Sequence, residues 1–476
     1  MKLPGRPMMI TAALSAISLL CGWLALRPPS SGAAVATAPR PVWSPDRLPA
    51  LLAEAQGTVD LERAVDDLVA HSGARTCLAV YEGERPVLLR RPDAALTPAS
   101  TQKILIATAA LAALGPDFRY ETRLVSDAPP RDGAAGTLWL VGSGDPTLAT
   151  PEYVQWLAAR PRFQFHQATP LTALADGLKA AGITTVTGGI VGDDSRYDRI
   201  RIVPSWKASY LIDNEAGPLG ALMVNDGFTV FDPLSQAAPA AVVGGTPPVP
   251  RAEKRADDPA AHAASELTRL ATTAGITIPG PARSGAAPPE ATVTVGTVRS
   301  APLSEIVAGM LRESDNTAAE LLVKELGAVK RHDGSTPAGT AAVTDVLAAA
   351  KLPTAGLRLG DGSGLEVTNQ ASCALLAATL RIPDRQGAPQ LSPLLAVAGR
   401  SGTLSLRLAG TPLEGKLRAK TGSLDGVSGL AGYLDGRRAL SFAFLTNGPL
   451  SDSAARLLQD RLVALLAGYP GPQPRL

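Results

Sequence analysis

The sequence predicts an α+β fold that is interrupted by a long α/β insertion. Three observations lead to this prediction. Residues 57–119 carry helix and hairpin signals, and residues 120–299 alternate short strand-like runs with Gly, Pro and Asp turns. Residues 300–476 return to helices, then three strand-like runs and a final helix. At 476 residues the chain is long enough to bury two cores.

The composition is that of a globular protein and excludes several functions. The chain is 45% hydrophobic, 18% charged and 4% aromatic, and its net charge is +2. A charge this small argues against a nucleic-acid partner. The four histidines lie at positions without metal-ligand spacing and outside any triad pattern, so we expect no metal site and no cofactor.

The N-terminus has the pattern of a secretory signal over residues 1–38. Lys2 and Arg6 precede an uncharged run over residues 7–26, and small-residue cleavage sites follow at 34–36 and 36–38. The run approaches membrane-spanning length, so an uncleaved membrane anchor is the alternative to a cleaved signal. Such an anchor is the only contact with a membrane that the sequence predicts. We expect an exported protein. Residues 39–56 are proline-rich and predict a linker.

The first part of the domain, residues 57–119, begins with a short amphipathic helix over residues 61–68. Two apolar runs, 76–81 and 86–89, flank a polar turn and predict a hairpin. The alanine-rich run 104–111 predicts a buried helix with Pro98 near its first turn. Cys77 precedes this helix and Cys373 lies far beyond it. In an exported chain these two cysteines form either a disulfide or two buried thiols, and the sequence leaves both open.

The insertion and the last part follow. Residues 171–183 and 267–276 echo each other, each predicting a helix, a glycine stop and a strand. Residues 228–260 predict a short irregular appendage. Beyond Pro302 the patterns predict helices over 303–311, 316–326 and 372–380, a glycine-rich turn over 359–365, an antiparallel meander over 417–423, 427–434 and 439–446, and a terminal helix over 454–466.

Ser100 and Lys103 begin the buried helix and lie three residues apart, so they share one helix face. A serine hydroxyl needs a neighbouring base to act as a nucleophile. A lysine can be that base if burial lowers its pKa. Because Ser-x-x-Lys occurs often by chance, the rest of the chain must support it.

Two further motifs follow in a fixed order. Ser314-Asp315-Asn316 lies at a break between two helical runs, and Lys420-Thr421-Gly422-Ser423 lies on a predicted strand. Each alone is weak, since the first is an ordinary helix N-cap and the second an ordinary strand end. Together with Ser100 and Lys103 they form the set known from class A β-lactamases and penicillin-binding proteins.

The chemistry assigns a role to each residue of the set. Ser100 attacks a carbonyl, Lys103 takes its proton, and Ser314 passes a proton to the leaving nitrogen. Asn316 orients Lys103, and the charge of Lys420 helps to keep Lys103 neutral. The segment Thr421, Gly422 and Ser423 receives the substrate and its carboxylate, and the N–H groups of Ser100 and Ser423 form an oxyanion hole.

With these motifs the chain resembles the D-alanyl-D-alanine carboxypeptidase/endopeptidases, the class C low-molecular-mass penicillin-binding proteins. The resemblance covers most of residues 60–465 and includes residues 142–146, 192–195, 313–320 and 361–365 with Asn369. It implies a penicillin-binding/β-lactamase-like transpeptidase domain, an antiparallel sheet with helices on both faces, with the insertion between the first two motifs. It also implies action on peptidoglycan stem peptides and cross-links in the periplasm or at the outer face of the membrane, and acylation by β-lactams.

The resemblance further implies that Asp145, in a Gly-Asp-Pro turn, binds the amino group of the stem diamino acid; a plain turn residue is the alternative. The chain departs from the family at residues 226–260, which are too short and irregular for the third small β-domain of many relatives. Asp361 and its glycines are expected to shape the wall of the site.

Two other functions fit parts of the sequence. A β-lactamase shares the motif set. Glu366 lies between the second and third motifs, where class A β-lactamases carry a deacylating glutamate. The long insertion argues against that class. A non-catalytic wall-binding protein with the same fold is the other alternative, although every motif residue is intact.

Overall fold

Helix α1 (Leu48–Ala70) is the first described element and includes the end of the predicted linker. The computed structural model describes residues 48–70, 72–160, 163, 167–230, 254–382 and 390–471, so the predicted signal segment lies outside the described residues. Contacts divide the chain into two units, residues 1–52 and 53–476. Residues 48–56, predicted as part of the linker 39–56, are helical. Pro49 lies in the first turn, where proline is tolerated, and strong helix formers follow it.

The elements follow one another with these bounds. The further helices are α2 (Lys103–Leu114), α3 (Pro151–Ala158), α4 (Thr172–Ala180), α5 (Ala208–Ile212), α6 (Pro259–Thr273), α7 (Leu303–Glu313), α8 (Asn316–Arg331), α9 (Thr336–Ala349), α10 (Cys373–Leu380) and α11 (Asp452–Gly468). The strands are β1 (Arg75–Glu82), β2 (Arg85–Arg90), β3 (Glu121–Ser126), β4 (Ala134–Ala135), β5 (Leu138–Val141), β6 (Leu148–Ala149), β7 (Thr169–Pro170), β8 (Thr185–Val186), β9 (Ile190–Asp193), β10 (Phe228–Val230), β11 (Lys254–Arg255), β12 (Arg283–Ser284), β13 (Val293–Arg299), β14 (Ala396–Val397), β15 (Leu417–Leu424), β16 (Val427–Asp435) and β17 (Ala439–Asn447). No helix in these described stretches is long and apolar enough to cross a membrane.

The main sheet has six strands in the order β14-β15-β16-β17-β1-β2, and every neighbouring pair is antiparallel. Side chains alternate between its faces. Phe442 and Phe444 of β17 enter a core shared with α1 and α11, whereas Ala443 and Leu445 enter a core shared with α2 and α10. Burial of each phenylalanine contributes about 1.5–3 kcal/mol. The predicted meander, the α+β class and the helices on both faces are confirmed.

Helix α2 is buried on nearly all sides. Seven of its apolar residues, Ile104 to Ala107 and Ala109 to Leu111, belong to the core on that face of the sheet. A disulfide joins Cys77 of β1 to Cys373 at the start of α10, with Cα atoms 5.9 Å apart. Of the two states that the sequence leaves open for this pair, the structure has the disulfide.

A second sheet is formed by strands from the interval 120–299, in the order β12-β9-β5-β3-β13. Strands β5, β9 and β12 run parallel, while β3 is antiparallel to both of its neighbours. The core of this sheet includes Leu174 and Leu178 of α4 and Leu267 of α6. Both helices end before a glycine with positive φ, Gly182 and Gly275. An inserted domain over 120–299 remains our prediction.

The predicted appendage over residues 228–260 is only partly described, because residues 231–253 lie outside the described set. Its described ends are regular rather than irregular. Strands β10 and β11 pair antiparallel, and α6 begins at Pro259 with Asp258 as its N-cap. The two described ends of this interval therefore pair with each other as β10 and β11. Composition alone does not predict this pairing.

Candidate active site

Ser100 lies in a tight turn that is held by its surroundings. A 3₁₀ turn, Ala99–Gln102, runs directly into α2. Ala99 has a φ of 47°, a left-handed conformation that costs a non-glycine residue about 1–2 kcal/mol. Gly364 passes so close that a Cβ on it would lie 2.2 Å from the Ala99 carbonyl oxygen. Packing therefore fixes the strained backbone immediately before Ser100.

Lys103 is fully buried beside Ser100. Its Nζ lies 2.9 Å from Ser100 Oγ, 2.7 Å from Asn316 Oδ1 and 2.6 Å from the Ser363 carbonyl oxygen. Burial lowers the pKa of Lys103 to about 8, although neighbouring carboxylates, first Asp361, oppose the shift. Burial, rather than the charge of Lys420 expected from the sequence, is the main cause of the lower pKa.

The partners of Lys103 also set the direction of its lone pair. A neutral amine has two N–H groups and one lone pair. Asn316 Oδ1 and the Ser363 carbonyl can only accept, so each takes one N–H. The side chain of Asn316 is fixed in this orientation because its Nδ2 donates to the Glu215 carbonyl at 2.7 Å. When Lys103 is neutral, its lone pair therefore faces Ser100 Oγ, to which the protonated lysine donates.

Ser314 and Lys420 form the second pair of the site. Ser314 ends α7 with a φ of 63°, and Asp315 caps α8 by accepting from the Ala318 N–H at 2.9 Å. This junction turns Ser314 towards the sheet. The buried Lys420 Nζ donates to Ser314 Oγ at 2.8 Å and to the Thr421 carbonyl at 2.7 Å. Between the described residues Ser314 and Lys103 there is no hydrogen bond.

Two glycines at the same register bring the sheet against the turn of Ser100. Gly422 of β15 pairs with Gly429 of β16. A Cβ on Gly422 would lie 2.8 Å from the Pro98 carbonyl oxygen and 3.1 Å from the Ser100 nitrogen. A Cβ on Gly429 would lie 2.8 Å from the methyl carbon of Thr101. Gly422 thus sets the distance between the Lys420 segment and Ser100. The space that a side chain at position 422 would need is occupied by the backbone of the Ser100 turn.

Gly422→Ala is expected to lower the rate of acylation at Ser100 by about tenfold or more, because the added methyl group must push the Pro98–Ser100 backbone away from β15. The rate is measured with a reporter penicillin. Gly177→Ala in α4 is the matched control, since a Cβ there meets nothing within 4 Å; we expect it to acylate normally. Wild-type acylation of the Gly422 variant would contradict the close packing.

Thr421 and Ser423 point to the other side of β15 from Gly422. Thr421 Oγ1 donates to Thr403 Oγ1 at 3.0 Å, and the exposed Ser423 Oγ donates to Asp452 Oδ1 at 2.7 Å. Strand β14 pairs with β15 only at Arg418 and Ala419. Among the described strands, β15 beyond these residues pairs only with β16.

Asp145 is not brought to this cluster. Its side chain is buried, with 4% exposed, and Oδ1 accepts from the N–H of Thr147 at 2.8 Å and from its hydroxyl at 2.6 Å. No hydrogen bond between described residues joins Asp145 to Ser100 or Lys103. Both readings of Asp145, a turn residue and a residue that binds a substrate amino group, stay predictions.

Asp361 organises the wall of the site, as expected, but through partners that the sequence did not indicate. Its carboxylate accepts hydrogen bonds from four side chains and two backbone N–H groups. The donors are the side chains of Gln102, Trp206, Ser363 and Asn369 and the N–H groups of Gly364 and Glu366. The Ser363 carbonyl, which contacts both Lys103 and Ser100 Oγ, lies within this loop. Trp206 and Glu215 come from the insertion, and no local motif marks either of them.

Glu366 has a structural position rather than that of a deacylating base. Its Oε1 accepts from the Thr368 N–H at 2.9 Å. No hydrogen bond among the described residues links its carboxylate to Ser100 or Lys103. The site geometry therefore lends no support to the β-lactamase alternative.

Fold and site define a serine hydrolase of the penicillin-binding class, in which a buried lysine faces the nucleophile. The chain belongs to the D-Ala-D-Ala carboxypeptidase 3 (S13) family, whose model matches residues 61–240 and 240–469. It is 31% identical to a D-alanyl-D-alanine carboxypeptidase of Actinomadura sp. (strain R39), over 79% of this chain and 78% of that one. It is 32% identical to the carboxypeptidase DacB of Mycolicibacterium smegmatis, over 78% and 75% of the two chains.

Solved structures show the same fold. The crystal structure of penicillin binding protein 4 (dacB) from Haemophilus influenzae matches with a TM-score of 0.69 at 22% identity, covering 86% of this chain and 99% of that one. A second structure of that protein, complexed with a novel β-lactam, matches with a TM-score of 0.61 at 22% identity over the same shares. The predicted penicillin-binding fold is confirmed.

Proposed function

We propose that the protein cleaves D-Ala-D-Ala peptides of peptidoglycan through an acyl-enzyme on Ser100. Its family makes it a serine-type D-Ala-D-Ala carboxypeptidase, a hydrolase. One observation carries the assignment of residues: the Lys103 Nζ, buried and with a lowered pKa, lies 2.9 Å from Ser100 Oγ.

In the first half-reaction Ser100 Oγ forms a bond to the carbonyl carbon while Lys103 takes its proton. The lysine then has three N–H groups, and its three acceptors, Ser100 Oγ, Asn316 Oδ1 and the Ser363 carbonyl, match them. The backbone N–H groups of Ser100 and Ser423 are the proposed oxyanion hole, and each such donor is typically worth about 10²–10³ in rate.

Departure of the leaving amine needs a proton at nitrogen. Ser314 Oγ accepts from Lys420, so the hydrogen of Ser314 is left for donation to the leaving nitrogen as the C–N bond breaks. The proton held by Lys103 replaces it through the bound substrate or a water molecule, because Lys103 and Ser314 share no direct hydrogen bond. Water then attacks the acyl group, Lys103 takes a proton from that water, and Ser100 regains its hydrogen. Lys420, Thr421 and Ser423 are the proposed receivers of the substrate carboxylate.

The substrates we propose are stem peptides and their cross-links, with β-lactams as covalent inhibitors. The β-lactam complex of the structurally similar Haemophilus protein supports the latter. Action outside the cytoplasm is supported by the family and by the Cys77–Cys373 disulfide, because such bonds persist in oxidising compartments. Export through residues 1–38 is part of the same proposal.

Acylation is expected to rise with pH. The neutral fraction of Lys103, with a pKa of about 8, grows from about one-tenth at pH 7 to about nine-tenths at pH 9. The acylation rate constant should therefore increase about tenfold between these values and then level off. Stopped-flow acylation by a reporter penicillin measures it, and a flat profile over this range would count against a lysine base.

Digestion of purified muropeptides tests the proposed activity. Monomeric pentapeptides and cross-linked dimers are incubated with the wild type and the products are read by mass. We expect loss of a terminal D-Ala, conversion of dimers to monomers, or both. Unchanged substrates would contradict the proposal, and rapid turnover of a chromogenic cephalosporin in place of a long-lived adduct would favour the β-lactamase alternative.

A further inference from the structure

Glu320 is a buried carboxylate close to the site for which the mechanism above has no use. It lies on α8 one helical turn after Asn316, so the two residues share a face. Its side chain is fully buried. Oε1 accepts from the N–H groups of Gly362 at 3.0 Å and of Ser363 at 2.7 Å. Oε2 is also buried and has no hydrogen-bond partner among the described residues.

These two bonds act on the peptide that holds Lys103. The carbonyl of Ser363 is one of the two acceptors that take the N–H groups of the neutral lysine, at 2.6 Å. If that carbonyl turned away, one N–H would be free to point elsewhere and the lone pair would no longer be held towards Ser100. A packed helix is a rigid support for such an anchor, whereas the glycine-rich loop 360–364 is intrinsically adaptable.

We propose that Glu320 is a positioning residue for acylation: it fixes the Gly362–Ser363 backbone so that the Ser363 carbonyl directs the lone pair of Lys103 at Ser100. The inference rests on the proposed function, since it requires Lys103 to be the base. Glu320 itself touches no reacting atom. It acts through the loop, and its carboxylate also acts on Lys103 through space.

The charges around the pair determine what removal of Glu320 does to the pH profile. Four carboxylates face Lys103. They are Asp361 on the loop, Glu320 on α8, Asp315 at the N-cap of α8 and Glu215 on the insertion. Each of them raises the pKa of Lys103. Burial and the nearby Asp361 raise the pKa of Glu320 to about 7, so Glu320 carries most of its charge where Lys103 titrates. Loss of that charge lowers the pKa of Lys103.

Two variants of the full chain separate position from charge. Glu320→Gln keeps an oxygen for both N–H groups and removes the charge. We expect its maximal acylation rate to stay within about threefold of the wild type, while the rising limb of its pH profile moves about 0.5–1.5 pH units lower. Glu320→Ala removes the acceptor as well. Its acylation rate should fall at least about tenfold with little change in the initial binding of the penicillin.

The matched control is Glu325→Gln on the same helix. Glu325 is equally buried, but it pairs with Arg196 and Tyr197 away from the site, so this variant should keep the rate and the pH profile of acylation. The proposal would be overturned if the pH profile of Glu320→Gln rose at the same pH as that of the wild type. It would also be overturned if a folded Glu320→Ala protein were acylated at the wild-type rate. If the wild type shows no acylation at Ser100, the proposed function itself fails, which is a distinct result.

Discussion

Ser100→Ala is expected to abolish acylation by β-lactams and to reduce peptide hydrolysis by at least about 10³-fold. The covalent path is lost when no nucleophile remains, and what survives comes from substrate binding and the oxyanion donors alone. Ser100 Oγ is bonded mainly to Lys103, so its removal leaves the buried core untouched. Hydrolysis of muropeptides is followed by mass, and acylation by a fluorescent penicillin.

Ser304→Ala is a suitable control for that variant. Ser304 lies in the first turn of α7, outside the cluster around Lys103, and its loss should leave acylation unchanged. A Ser100→Ala protein that is still acylated at the wild-type rate would show that another side chain is the nucleophile.

Lys103→Met is expected to slow acylation by about 10²–10⁴-fold, the usual worth of a positioned general base. Methionine fills most of the space of the lysine stem and avoids burial of a charge. It offers no N–H to Asn316 Oδ1 or to the Ser363 carbonyl, and no lone pair to Ser100. The rise of acylation through about pH 8 should disappear together with the rate. Stopped-flow acylation over pH 6–10 measures both.

Lys324→Met provides the matched control. Lys324 is also fully buried, on α8, but it pairs with Asp198 rather than with the site. The same substitution there should lower the stability of the fold, because Asp198 loses its partner, and leave the acylation rate unchanged. A Lys103→Met protein with a wild-type rate and a preserved pH limb would exclude Lys103 as the base.

Sequence patterns predicted most elements that carry the chemistry, because those elements are marked locally. The buried helix behind Ser100 has an unbroken apolar run, and the meander over residues 417–446 has three strand-like runs separated by turns. Ser314-Asp315-Asn316 was expected at a helix break. Ser314 is the C-cap of α7, and its backbone has the left-handed conformation. In each case short-range propensity and the packed fold agree.

Other parts of the site could not be predicted from any pattern in the sequence. The acceptors that orient Lys103 and Asn316 include the backbone carbonyls of Ser363 and Glu215, and any residue type supplies a carbonyl. Their positions depend on how a distant loop and the insertion pack against α8, which periodicity does not report. Pairing of Cys77 with Cys373 is likewise a property of the assembled core. Residues 48–56 are helical although the sequence analysis gave more weight to the prolines of residues 39–56 than to the helix formers that follow Pro49.

Mass mapping of the acylated protein tests the central claim most directly. The wild type is incubated with benzylpenicillin at pH 9, digested, and searched for the peptide that carries the penicilloyl group. We predict one adduct, on Ser100, formed about ten times more slowly at pH 7. An adduct on any other residue, or an unmodified protein under conditions in which it is folded, would contradict Ser100 as the nucleophile that Lys103 activates.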